Sequence, residues 1–368
     1  MSALGEDARW MDAALALGRR GLGQTAPNPS VGALVLKDGV VVGRGVTQPG
    51  GRPHAERRAL AEAGEAARGA TLYVTLEPCS HHGVTPPCAE AVVAAGVARV
   101  VCAIEDPDPR VAGRGLALLR AAGIEVVVGR GAEPARRDHL GHILRVTQRR
   151  PMVTLKLART ADGYAAGDEH DRRLAITGET SNLRVQAMRA TYDAIMVGVG
   201  TAIDDDPLLT IRLPGIDLTP LRVVLDSTLR LPTSSRLCAT AAEHPTLVIT
   251  TWEASEDQEA ELKQRGVEVL RVDADLAGHV DLARALEELA ARGVTRVFSE
   301  GGPTVGAKLI QLGLADEVLI FTATKPLGRP GRPALDPDAS AALADPARYR
   351  EGESLSYPPD EMRRWERL

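Results

Sequence analysis

Short apolar runs alternate with helical segments along most of the chain, and nothing else in the sequence narrows the fold so far. "ATLYVTLE", "RVVCAI" and "IEVVVG" read as buried strands. "CAEAVVAAG" and "GRGLALLRAAG" lie between them as helices stopped by glycine. Upstream, residues 7–20 carry Met11, Ala14, Leu15 and Leu17 at helical spacing. "VGALVLKDGVVVGRGV" predicts a hairpin turning at Asp38-Gly39. "HAERRALAEAGEAA" predicts a helix with Pro53 in its tolerant first turn, and a last helix is expected over 133–148. Such alternation gives a mostly parallel sheet with helices on both faces. The pattern breaks at "TQRRPM" and resumes with "MVTLKLA", so two α/β domains are expected, residues 1–148 and 149–368. The length of 368 residues agrees, because single cores stop growing at about 250–300 residues. In the second domain "DAIMVGVG", "LRVVLD", "PTLVIT", "VEVLRV", "TRVFSEGG" and "DEVLIFTAT" predict strands. Helices are expected near 179–191, 255–265, 281–292 and 303–313. The tail after about 325, rich in Pro, Gly and Asp, reads as irregular.

Charge narrows the partners. The net charge is -5 with no long run of one sign, which disfavours a nucleic-acid partner. "MSALGEDARWMDAALALGRR" carries Glu6, Asp7 and Asp12 and has no apolar core of an export signal. No stretch approaches the roughly 20 apolar residues of a membrane span, so no membrane partner is expected. The expected location is the cytoplasm, where the chain's thiols stay reduced. Neither composition nor motif sets the oligomeric state, and a homo-oligomer is compatible with both.

Two of the four cysteines, Cys79 and Cys88, sit in "EPCSHHGVTPPC", each straight after a proline. With a disulfide disfavoured, metal binding or plain burial must explain them. "RPHAERRAL" adds His54 and Glu56 at a helix start. One imidazole and two thiolates suit Zn2+, and three protein ligands leave a fourth position open, the mark of a catalytic zinc. Glu56 is two residues from His54, so on a helix it points away from the ligand and can face that open position. Two thiolates weaken the metal as a Lewis acid, so its water needs a base, and Glu56 can serve. Cys102 and Cys238 read as bystanders.

The H-x-E…P-C arrangement is that of zinc nucleobase deaminases, although the spacing here is P-C-x8-C rather than P-C-x-x-C. Together with "APNPSVGALV" and "EDPDPRVAGRG", it resembles the pyrimidine deaminase domain of riboflavin biosynthesis. The resemblance implies a cytidine-deaminase-like three-layer domain. It implies zinc on His54, Cys79 and Cys88, Glu56 as proton shuttle and Asn28 near the substrate base. His81 and His82 fall in the expanded loop, read either as contacts to ribose or phosphate or as solvated loop residues.

"VFSEGGPTVGAKLI" is a strand, a Gly-Gly turn and a helix whose N-terminus suits a phosphate, although a tight turn needs glycine in any case. "LKLARTADG", "AITGETS", "RATYDAIMVGVGTAIDDDPLLTIR" and "RVVLDSTLRLP" accompany it. They resemble the reductase domain of the bifunctional riboflavin family. That implies a dihydrofolate-reductase-like fold, NADPH as cofactor and hydride delivery to the ribose C1′ of a ring-opened imine. Carried over, Ala158, Thr201, Asp205, Ser227, Gly302, Pro303, Thr304, Val305, Gly306, Ala307 and Lys308 line the NADPH site. Arg189, Leu209, Arg212 and Glu300 face the substrate, with Lys156 beside them, and the two arginines are expected to clamp the ribose phosphate. The segment "DEHDRRLAIT" departs from the family pattern. Arg173 stands where serine is expected and is read as an added phosphate contact; Ala175 stands where tryptophan is expected. The substrates implied are small phosphorylated pyrimidines. Two other readings stand beside this one: a deaminase whose second domain binds nucleotide without reducing, and a nucleic-acid deaminase, which spacing and charge disfavour.

Overall fold

In the computed structural model, which describes residues 3–81, 86–167 and 174–368, the chain divides between Arg150 and Pro151. The first unit runs α1 (Ala3–Arg19), β1 (Gly32–Lys37), β2 (Val40–Val46), α2 (Ala55–Ala63), β3 (Thr71–Val74), α3 (Cys88–Ala94), β4 (Arg99–Cys102), α4 (Arg114–Ala121), β5 (Glu125–Val128), α5 (Ala132–Asp138) and α6 (Leu140–Gln148). Its strands lie in the order β2-β1-β3-β4-β5. The sheet is mixed, not mostly parallel: β1 runs antiparallel to both β2 and β3, and β3, β4 and β5 are parallel. The Asp38-Gly39 turn forces the β1–β2 pairing, since so short a connection only joins antiparallel strands. The helix expected over 133–148 breaks in two at His139. Pro53 lies outside α2, which His54 caps.

Glycines set how the layers stack. A Cβ on Gly32 would lie 1.9 Å from the Ala14 carbonyl oxygen of α1, and one on Gly45 would lie 1.9 Å from that of Ala55 in α2. Gly45 sits opposite Ala33, the residue after Gly32. Successive side chains of a strand point to opposite faces, so α1 and α2 cover opposite faces of the sheet. The result is a helix–sheet–helix sandwich in which α2 presses against the strands closely enough to fix its first turn.

Asp7 fastens α1 to that sheet. Its carboxylate accepts bonds from Tyr73 Oη and from both terminal nitrogens of Arg99, each at 2.8 Å. The Arg99 hydrogen bonds, opposed by burial, hold the carboxyl below its ordinary value of 3.8. Asp7→Asn is expected to cost about 2–3 kcal/mol, a little under the usual penalty for breaking a buried pair because Arg99 is partly exposed. A depressed pKa means the stabilisation is complete above the unfolded value and is lost as pH falls through the native one. Denaturant titrations of both proteins should therefore show a gap that narrows below pH 3.8. A gap unchanged with pH would mean that the charge on Asp7 is not what holds α1.

The second unit runs β6 (Met152–Arg159), β7 (Tyr164–Ala166), α7 (Glu179–Arg189), β8 (Ala194–Gly198), α8 (Val199–Asp205), β9 (Leu221–Leu225), α9 (Arg236–Ala239), β10 (Thr246–Thr251), α10 (Glu256–Gln264), β11 (Glu268–Val272), α11 (Leu282–Ala291), β12 (Arg296–Ser299), α12 (Gly302–Gln311), β13 (Glu317–Thr322), β14 (Arg332–Pro333), α13 (Pro337–Ala344), β15 (Tyr349–Glu351), β16 (Leu355–Tyr357) and β17 (Asp360–Arg367). The main sheet has the order β11-β10-β9-β8-β12-β6-β13-β17-β15, parallel from β11 to β13. Helices and loops bury its central strands on both faces, which is why those strands read as continuous apolar runs.

The tail is not irregular. It supplies α13 and then β17, which pairs antiparallel with β13 over its whole length. "DEMRRWER" carries too many charges to read as a strand. Its charges are matched across the ladder, with Arg364 on Glu317 and Arg367 on Asp316. No helix among the described residues is long and apolar enough to cross a membrane.

Candidate active sites

In the first unit, His54 caps the N-terminus of α2, Cys79 lies in the loop after β3 and Cys88 opens α3. Their ligand atoms lie within 4.8 Å of one another. His54 Nδ1 stands 3.6 Å from Cys79 Sγ and 3.4 Å from Cys88 Sγ. The Cys88 amide donates to Cys79 Sγ at 3.3 Å. The Cys79 thiol is drawn down to about 4, first by the hydrogen bond from the Cys88 thiol and then, against its burial, by His54. That same hydrogen bond, together with burial, pushes Cys88 up. A bound cation takes both sulfurs as thiolates, so its binding releases protons. Two sulfurs and one imidazole nitrogen at this spacing fit Zn2+, and no fourth His, Cys, Asp or Glu joins them among the described residues.

Glu56 lies in the first turn of α2 and is 3% exposed. Burial first, then the charge of Cys79, pushes its carboxyl up to about 7, with His54 opposing. A carboxyl near neutrality can both accept and return a proton.

The loop carrying Cys79 is held from below by Glu77. Its buried carboxylate accepts from the amides of Asp106, Gly113, Gly115 and Leu116 at 2.8–3.2 Å. Gly115 is required there, since a Cβ would lie 2.1 Å from the Pro78 carbonyl oxygen. "EDPDPRVAGRG" is thereby the loop and helix start that support the metal loop. Asn28 donates to the Gly51 carbonyl at 2.8 Å, in the segment leading into His54. His81 is half-buried, and its Nδ1 has no partner among the described residues. His82 lies outside those residues.

In the second unit a cavity of about 2050 Å³ opens at the carboxyl ends of β6, β8, β9 and β12. A drug-sized ligand needs about 300–1,000 Å³, so the volume leaves room for a dinucleotide and a second ligand. Ala158, Thr201, Asp205 and Ser227 line it, as do Gly302, Pro303, Thr304, Val305 and Lys308. Gly306 and Ala307 do not line it: α12 turns Gly306 against Leu155 and Leu157 and buries Ala307 in the core. The N-terminus of α12 carries no side-chain cap, so its first amides are left to the cavity wall, an arrangement that suits a cofactor phosphate.

Lys156, Arg189, Leu209, Arg212 and Glu300 line the other end. Both arginines of the expected phosphate clamp line the cavity, and one of them already holds a carboxylate. Arg189 is buried and grips Glu300 through Nε and Nη2 at 2.7 and 3.1 Å, while its Nη1 donates to the Thr210 carbonyl at 2.8 Å. Burial would raise the Glu300 pKa, but Arg189, then Lys156 and Arg212, outweigh it and keep the carboxyl ionised. Arg212 is exposed in the cavity wall, and its amide donates to Gln186 Oε1 at 2.9 Å. Gln186 was missed from sequence; it lies three residues before Arg189, on the same helical face. Ala175 lines the cavity, and Arg173 lies outside the described residues. Of the acidic run, Asp204 lines the cavity, whereas Asp206 accepts the Arg236 amide.

Fold and sites together define a zinc-dependent deaminase unit joined to an NADPH-dependent reductase unit. Residues 4–104 match the cytidine and deoxycytidylate deaminase zinc-binding region, and residues 151–359 match the RibD C-terminal domain. The chain is 42% identical to the riboflavin biosynthesis protein RibD of Aquifex aeolicus over 88% of each chain. It is 38% identical to that of Escherichia coli over 96% of this chain and 98% of the other. A RibD structure from Acinetobacter baumannii superposes over 100% of both chains with a TM-score of 0.86 at 36% identity. The chain belongs to the RibD family, the bifunctional deaminase–reductases of riboflavin biosynthesis.

Proposed function

We propose that His54, Cys79 and Cys88 hold the zinc and that Glu56 moves the protons of a hydrolytic deamination. The observation that carries this reading is the convergence of the three ligand atoms within 4.8 Å beside a buried carboxyl on the same helix turn. On this reading the substrate is 2,5-diamino-6-ribosylamino-4(3H)-pyrimidinone 5′-phosphate. Zinc supplies the Lewis acidity that makes water a nucleophile at neutral pH. Glu56 takes one proton from the attacking water and gives it to the ring nitrogen, then takes the second from the resulting hydroxyl and gives it to the amino group, which leaves as ammonia as the carbonyl forms. Asn28, held by Gly51, orients the base.

The deaminated product is then reduced to 5-amino-6-(5-phosphoribitylamino)uracil, for which NADPH supplies the hydride. Ala158, Thr201, Asp205, Ser227 and the start of α12 bind the cofactor. Glu300, held ionised by Arg189, accepts hydrogen bonds from the sugar, and Lys156, Leu209 and Arg212 complete the substrate wall. We place the enzyme in the cytoplasm, where its thiolate ligands stay reduced.

Cys79→Ser tests the metal assignment. Elemental analysis of the purified variant should show zinc lost, and deamination should fall with it. The first unit should melt earlier, because metal binding is coupled to folding. NADPH oxidation with the deaminated intermediate should persist. Full zinc occupancy in the variant would remove Cys79 from the ligand set.

A further inference from the structure

Among the described residues Arg222 is the largest fully buried side chain, and neither reaction described above uses it. It lies on β9, where the alternation of the strand calls for an apolar residue: Val224, two positions on, packs into the core beneath α9. Among the described residues no carboxylate pairs with it. Its two terminal nitrogens are satisfied by neutral oxygens, while Nε is buried without a partner among the described residues. Nη1 donates to the Leu208 carbonyl at 3.1 Å and Thr240 Oγ1 at 2.8 Å. Nη2 donates to the Leu237 and His244 carbonyls, both at 2.9 Å, and to Thr246 Oγ1 at 2.5 Å. Burial pulls its pKa down to about 10, so it stays charged at neutral pH. An uncompensated buried charge is costly, and an apolar residue here would pack without that cost.

The Leu208 bond shows what the charge does. The next residue, Leu209, has φ 52°, a left-handed conformation that leucine rarely adopts, and is 2% exposed. Such strain persists only where surrounding bonds over-determine it. Here the carbonyls on either side of Leu209 are each gripped by a guanidinium: Leu208 by Arg222 from the core, Thr210 by Arg189 from the site. The Arg212 amide, bonded to Gln186, closes the loop. In this conformation Leu209 and Arg212 line the cavity.

We infer that Arg222 is a positioning residue of the reductase: it holds the 208–212 loop so that Leu209 and Arg212 meet the substrate. This rests on the reading that Arg212 contacts substrate, and the test separates the two. Arg222→Lys keeps the charge but cannot span the same oxygens. With the deaminated intermediate as substrate, KM should rise about tenfold with kcat nearly unchanged. NADPH affinity, read by fluorescence titration without turnover, should hold, as should deamination. Hydrogen exchange should quicken at 208–212 and stay slow in β9. Arg212→Ala should raise KM as well, and the double variant should fall short of the product of the two single effects, since both act in part through the Arg212 contact.

If Arg212→Ala raises KM and Arg222→Lys does not, the positioning role falls while the substrate reading stands. If Arg212→Ala leaves KM unchanged, the substrate reading falls and takes the inference with it. Loss of kcat, KM and cofactor affinity together in Arg222→Lys would mark general damage to the sheet and also overturn it. Should that variant not fold, Thr240→Val removes one oxygen from the same guanidinium and should raise KM about two- to threefold. No change there would overturn the inference equally.

Discussion

Glu56→Gln lowers deamination by about 10³-fold, the usual worth of a positioned acid–base group. It should leave zinc content and NADPH-dependent reduction at the unmodified level. Gln has the shape of Glu and fits the buried first turn of α2, so His54 and the close contact of α2 with Gly45 are kept. What it cannot do is take a proton from water and return it to nitrogen. Three other groups form the ligand cluster, so the metal stays. Ammonia release measured on the diamino substrate, beside zinc analysis of the same sample, decides the matter. Ammonia release close to that of the unmodified enzyme would assign the proton transfer to another group.

Glu300→Gln is the matching experiment in the second unit. Reductase kcat/KM for the deaminated intermediate should fall by about 10²-fold, and deamination should be untouched. Arg189 is buried beside Glu300, and removing the partner charge leaves its guanidinium uncompensated. Breaking such a pair costs about 3–5 kcal/mol, or roughly 10 °C in the melting temperature of a unit this size. The double variant Glu300→Gln/Arg189→Met should regain part of that stability and none of the reduction, because replacing both partners removes the stranded charge. Reduction that survives Glu300→Gln would place the sugar contact elsewhere.

Much of the first site was legible because its chemistry depends on residue type. His, Cys and Cys with a nearby Glu are rare enough in company that their spacing carries the zinc reading, and the structure brings the ligand atoms together. The strand "VFSEGG" and the helix after it were equally readable, since strand and helix periods differ. Less legible was which residues of a readable segment face the site. Gly302 and Lys308 line the cavity while Gly306 and Ala307 lie in the core, a distinction that depends on the helix phase against β6. That Arg189 also pairs with Glu300, a partner across 111 positions, could not be read from the sequence.

The tail and Arg222 mark the same limit. β17 is a strand because β13 offers it a ladder and matching charges, and nothing in "DEMRRWER" alone announces that pairing. Arg222 reads as a surface charge until Leu208, Leu237 and His244 turn their carbonyls onto it. The sequence by itself determined the two α/β units, the zinc-type ligand cluster and the family, because periodicity and side-chain chemistry are local properties. Tertiary structure decided which charges are neutralised, which loop is strained and which strand closes the sheet. Those outcomes depend on oxygens and charges brought from distant parts of the chain, and burial makes each such pairing energetically decisive.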